Sequence, residues 1–130
     1  MNRCAAREEH GYRVVTVSGE VDLSWSAEIR AAILAGLDAK LPVLVELAGV
    51  AYIDSSGIAS FVEGYQRARK ERLQVGLLAV SAAVLAVLKL ARLETVFPIH
   101  ADLAAARAAA DGSRKAAGSA APDNSTRGQA

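Results

Sequence analysis

Thiols and imidazoles are scarce in this 130-residue chain: Cys4 is the only cysteine, and His10 and His100 are the only histidines. A lone cysteine supports neither an internal disulfide framework nor a cysteine zinc cluster, and it fits a reducing cytoplasm. Charge of one sign is lacking too. With 15 basic against 14 acidic residues the net charge is +1, so no basic field argues for nucleic acid, and an anionic partner needs a local site. Long apolar runs are missing as well. The uncharged stretch from Val75 to Leu88 falls short of the roughly 20 residues that span a bilayer. Gln74 and Lys89 bracket it, and Ser81, a good helix N-cap, interrupts it. It reads as a buried strand followed by a packed helix, without insertion into a membrane. The lead-in from Met1 to His10 carries Arg3, Arg7, Glu8 and Glu9 and no apolar stretch, so no secretory signal is expected.

What is present is ordinary globular composition, 52% hydrophobic and 22% charged, enough for the core of one small domain. Tyr12 to Ser18 is rich in β-branched residues and stops at Gly19, which predicts a strand and a turn. Trp25, Ile29, Ala32, Ile33, Gly36 and Leu37 then recur at helical spacing. They predict a helix over 24–39, with Asp22 or Ser24 available as its cap. Pro42 to Leu47 reads as a buried strand in which Glu46 needs an edge, a partner or solvent. After a short Ala48-Gly49-Val50 step, Ala51-Tyr52-Ile53 leads into a turn at Asp54. Ile58, Phe61, Val62, Tyr65 and Ala68 mark the inner face of a second helix ending near Arg72. Leu73 to Val80 predicts another strand. Val84, Val87, Leu88 and Ala91 predict a helix starting after Ser81, with Leu85 on its outer face. Val96 to Ile99 predicts a short edge strand containing Pro98, and 102–110 a small alanine-rich helix. The domain is therefore placed at 1–110. From Asp111 onward the sequence has no large apolar side chain, and 111–130 is expected to be a disordered tail.

Alternating strands and helices imply βαβ connections and a largely parallel sheet with right-handed crossovers. The exit of the first strand and the Asp54 turn then share one sheet edge, which makes Asp22, Asp54, Ser55 and Ser56 candidate neighbours. A nucleophilic serine needs a general base. Neither His10 nor His100 has a reason to approach Ser55, and the GxSxG elbow fails because position 53 is Ile. A small hydrolase is a distant alternative. Asp22 and Asp54 are candidates to hold a metal or act as acid and base, but aspartates beside helix starts more often cap them. No phosphate-binding glycine loop is present. The serine can instead be a substrate. At the first turn of a helix, free N–H groups and the dipole favour a phosphate, and its charge beside Asp54 and Asp22 would repel a partner that fits the neutral form. On physics alone, Ser55 as a helix cap stands equally beside Ser55 as phosphoacceptor.

Three segments carry a family resemblance: Gly19-Glu20-Val21-Asp22, Leu44 to Val50, and Tyr52-Ile53-Asp54-Ser55-Ser56-Gly57-Ile58. Together with Leu90 to Leu93 and Val96-Phe97, they resemble the STAS domain of bacterial anti-sigma factor antagonists from about Gly11 to Ala110. The resemblance implies a single α/β domain with a four- to five-stranded, mostly parallel mixed sheet. About four helices pack largely on one face, and an N-terminal strand can run antiparallel. It implies a regulatory protein without enzyme activity, cofactor or metal. Its phosphoacceptor is the serine after the motif aspartate, Ser55, with Ser56 the fallback; Asp22, Asp54, Ser56 and Gly57 surround the site and meet the partner. The implied partners are an anti-sigma factor that is a GHKL-type serine kinase and a PPM-type phosphatase. The chain departs from the family pattern at Glu46, where Asp is common, and at Leu85 and Ala86, where charges are frequent. STAS domains also serve as subunits binding the ATPase of lipid-transport ABC complexes, and an apolar Leu85-Ala86 surface suits that alternative.

Overall fold

The computed structural model describes residues 2–119, with side chains through Asp111. Strands β1 (Arg3–Glu9) and β2 (Tyr12–Val21) form a hairpin. They are followed by α1 (Ser26–Asp38), β3 (Val43–Ile53), α2 (Ser55–Lys70), β4 (Val75–Leu78), α3 (Ala82–Leu90) and β5 (Ile99–His100). The strands lie in chain order across one five-stranded mixed sheet. β1 is antiparallel to β2, and every other pair is parallel. Because the strands advance in one direction, right-handed crossovers set α1, α2 and α3 on a single face. That face holds the core. Val15, Val17 and Val21 of β2 and Val45, Leu47, Val50 and Ile53 of β3 pack with Ile29, Ile33 and Leu37 of α1. Ile58 and Phe61 of α2 and Val84 and Leu88 of α3 complete the cluster. Each large side chain buried this way contributes about 1.5–3 kcal/mol.

The residue pattern begins the sheet at Tyr12, whereas the structure begins it at Arg3. Six of the seven residues of β1 are exposed, so no apolar alternation marks it as a strand. The turn into β2 is His10-Gly11 with φ of 53° and 82°, the left-handed pair that two-residue hairpins use. β2 also continues past Gly19, whose φ of 99° is open to glycine and costly to other residues. Register shifts fall between Thr16 and Ser18 and between Gly19 and Glu20. At each, β3 carries one more residue than β2, a β-bulge. β3 is therefore one strand through Ile53 rather than a strand ending at Leu47, and its burial leaves strict alternation after Leu47. The bulges bring Val21 level with Ile53, so the two strands leave the sheet side by side.

Glu46 has the partner it requires: its Oε1 accepts from Thr16 Oγ1 at 2.9 Å, and Arg7 donates to the same Oγ1 at 3.0 Å. β4 is shorter than the expected 73–80, and β5 begins after Pro98, at Ile99, rather than running through it from Val96. The Pro98 carbonyl accepts from Leu77 N at 2.8 Å, and Phe97 turns inward against Tyr65, ring centroids 5.4 Å apart. Leu85, expected on the outer face, is half-buried; the exposed leucine of α3 is Leu90. A second unit begins at Ala101 and contains α4 (Leu103–Ser119). This helix runs past the expected end at Ala110, an extension favoured by the high helix propensity of its alanine run, so 111–119 are helical where a disordered tail is expected. The rest of that tail, 120–130, lies outside the described residues. Among the described residues no helix is long and apolar enough to cross a membrane.

Candidate functional site

β2 and β3 end side by side. Asp54 N–H donates to the Val21 carbonyl at 3.0 Å, so the two strand exits, with Asp22 and Asp54 at their tips, are one structural edge. Asp54 is the N-cap of α2. Its carboxylate accepts from Ser56 N at 2.9 Å, Gly57 N at 3.3 Å and Ser56 Oγ at 2.6 Å. These bonds hold its pKa below the usual carboxylate range. The Ser56 hydroxyl is the largest cause, partial desolvation opposes it, and the backbone N–H groups of Gly57, Ser56 and Leu23 add to it.

Ser55 is the first residue of α2 and is exposed. Its hydroxyl makes no hydrogen bond among the described residues. Ser56 is half-buried and committed to Asp54, so the two adjacent serines differ in access. The cap of α2 is Asp54, not Ser55, which removes the competing role for the Ser55 side chain. The cap also fills the helix end: the N–H groups open to an anion at positions 56 and 57 already serve a carboxylate. Gly57 is required by space. A Cβ there would stand 2.7 Å from Ile53 Cγ1 and 2.7 Å from Val21 Cγ1, so only glycine lets the helix start on the strand ends.

Asp22 lies at the same edge but does not cap α1, as the sequence suggested it or Ser24 could. The N-cap position is Trp25, without a side-chain cap bond. Asp22 Oδ1 instead accepts from Ser24 N at 2.9 Å and Ser24 Oγ at 2.5 Å. No hydrogen bond joins Asp22 to Ser55 among the described residues. His10 sits in the β1–β2 turn, at the far end of β2 from Asp22, and His100 ends β5. Sequence reasoning passes over two residues here. Leu23, 77% exposed, is an apolar side chain standing beside the site. Ser60, buried, donates to the carbonyls of Ser26 at 3.2 Å and Ser56 at 3.1 Å, and so ties the two helix starts together. The repeated Asp-x-Ser pattern, at 22–24 and 54–56, is the signal that could have drawn attention to Leu23.

The STAS domain family matches residues 3–106, and the chain belongs to that family. An anti-sigma factor antagonist from Mycobacterium paratuberculosis is 25% identical, with 84% of this chain and 93% of that one covered and a TM-score of 0.71. A STAS domain protein from Planctomyces limnophilus is 22% identical, covering 82% and 96%, with a TM-score of 0.72. The Bacillus cell-fate determinant SpoIIAA in its phosphorylated form is 18% identical, covering 86% and 100%, with a TM-score of 0.65. The last two establish the shared fold. No curated protein sequence matches the chain significantly.

Proposed function

We propose that this protein is an anti-sigma factor antagonist that works by partner switching, with Ser55 as its phosphoacceptor. The unphosphorylated form binds a cognate anti-sigma factor that is itself a GHKL-type serine kinase, and the sigma factor is released. Phosphate on Ser55 breaks that complex, and a PPM-type phosphatase restores it. The protein acts in the cytoplasm as substrate and binding module, with no turnover of its own. The observation that carries the reading is the contrast between an exposed, unbonded Ser55 and a Ser56 held by Asp54. A kinase can engage the first hydroxyl without breaking the helix cap. The switch follows from charge. A phosphate adds about −1.5 to −2, and Asp54 already occupies the helix N–H groups, so the new charge stands beside a carboxylate and faces the partner. The name of the Mycobacterium protein and the phosphorylated form of SpoIIAA support the same reading.

The test is to incubate the protein with its kinase and ATP and map the modified residue. We expect label on Ser55 and none in Ser55→Ala; label retained by that variant refutes the assignment. Affinity capture with wild type and Ser55→Asp tests the partner, and a GHKL kinase should be retained by wild type alone. A second reading, a subunit clasping an ABC transporter ATPase, draws on Leu90, 87% exposed on α3, which offers an apolar contact that phosphate would not touch. It predicts capture of the ATPase by both forms.

A further inference from the structure

The two edges of the sheet are unlike. β5 is two residues long and follows Pro98, so it offers almost no backbone for pairing. β1, the other edge, is seven residues long and contains no lysine or proline. Its pairing with β2 runs from Arg3↔Ser18 to Glu9↔Tyr12 without a register shift. Charged side chains at Arg3, Arg7, Glu8 and Glu9 deter indiscriminate pairing, but an edge of this length without bulge or proline is a template for a strand whose charges match.

We propose that this edge pairs antiparallel with β1 of a second copy of the chain, giving one sheet continuous across both. The argument for a second copy is charge. A two-fold axis that makes antiparallel neighbours stands perpendicular to the sheet and keeps each face on its own side, so the register must centre on a residue. Centred on Ala6, it sets Arg3 against Glu9 twice, Cys4 against Glu8, Ala5 against Arg7 and Ala6 against itself. Centring on Ala5 sets Arg3 against Arg7, and centring on Arg7 sets it against its own copy; both place like charges opposite each other. Only the Ala6 register also uses the whole strand. Within the chain Arg7 pairs with Glu9 at 2.9 Å and Glu8 with Arg13 at 3.6 Å. Arg3 takes part in no ion pair among the described residues, and the second copy's Glu9 supplies one. Small side chains at Ala5 and Ala6 allow the strands to close. Ser55, at the exit of β3, lies two strands inward, so association is independent of the proposed switch and leaves the Ser55 turn open.

Sedimentation equilibrium of the full chain over a concentration series tests this. Wild type should approach twice its 13.5 kDa mass. R3E alone and E9R alone should each weaken association about tenfold or more, because two attractive pairs become repulsive. The R3E/E9R double variant should regain it, which also shows that these exposed positions do not govern folding. For the register, C4S/A6C should oxidise to a disulfide-linked dimer, since directly opposed residues stand about 4.5–5.5 Å apart. C4S/A5C, facing Arg7, should link far less. A monomer at every concentration, association indifferent to R3E and E9R, or no recovery in the double variant would overturn the proposal.

Discussion

At the carboxyl edge of the sheet, two strand exits use the same hydrogen-bonded device and reach different ends. Asp22 accepts from the N–H and hydroxyl of Ser24, and Asp54 accepts from the N–H and hydroxyl of Ser56. In each, the residue between is exposed, Leu23 in one and Ser55 in the other. The difference lies three residues after the aspartate, at Trp25 and Gly57. Trp25 is half-buried and its indole N–H donates to the Glu20 carbonyl at 2.7 Å; α1 starts only after it. Gly57 has no side chain to hold the helix away, so α2 starts one residue after Asp54 and its backbone rests on Ile53 and Val21. The same local chemistry thus gives a loop with an apolar tip beside a rigid helix start with a hydroxyl tip. What the third residue allows the backbone to approach decides which one forms.

The comparison breaks most strongly at that third residue. Trp25→Gly removes about half of a large side chain's burial and one hydrogen bond, a loss of about 2–3 kcal/mol. Urea unfolding measures it, and a loss under about 0.5 kcal/mol would mean the indole does not organise its loop. Gly57→Ala should cost less. Overpacking against two branched, buried side chains costs about 1–3 kcal/mol, and replacing a helical glycine returns up to about 1 kcal/mol. The net is destabilising, and a stabilised Gly57→Ala protein would show that α2 has room to lift.

Next in size is the difference between the two aspartates. Asp54 caps a helix and Asp22 does not, so Asp54→Ala should lower the melting temperature more than Asp22→Ala. Equal losses would erase the distinction between the exits. The pH dependence sharpens it. The folded pKa of Asp54 is lowered, chiefly by the Ser56 hydroxyl, so its stabilisation is fully present above the unfolded value of about 3.9. It is lost as pH falls through the folded value. The stability gap between wild type and Asp54→Asn should therefore be constant from neutral pH to about 4 and narrow below that. A gap that persists unchanged to about pH 2 would remove the ionised carboxylate as its cause.

Those parts of the fold that rest on local periodicity were legible in the sequence. Ile29, Ile33 and Leu37, then Ile58, Phe61 and Ala68, mark the inner faces of α1 and α2, and all are buried. Ser81 caps α3 as its position suggests, accepting from Val84 N at 3.3 Å. Features that depend on a neighbour were not legible. β1 is exposed at all of its residues but Cys4, and its turn uses His10 where Asn or Asp would be the stronger signal. The β3 bulges exist only relative to β2. At the site, the motif residues could be found, but which aspartate caps a helix depends on the space at Trp25 and Gly57. The pattern of Asp54, Ser55 and Ser56 contains no clue to which serine is tied, because that is settled by the Ser56 hydroxyl reaching back to the cap.

The smallest effect is expected from the far end of the chain, and it bears on whether the two exits are self-sufficient. Among the described residues, the side-chain bonds of the two aspartates come from residues between Asp22 and Gly57, Ser60 ties the two helix starts, and the bonds to Glu20 come from Trp25 and Asn2. Positions 111–130 contain no large apolar side chain and have little to contribute to a core. Removing them shortens α4 but should shift the melting temperature by no more than about 2 °C. Asp54→Ala should remain more damaging than Asp22→Ala in the shortened chain. A larger drop, or an altered order of the two variants, would show that the C-terminal segment supports the edge that the two loops otherwise build for themselves.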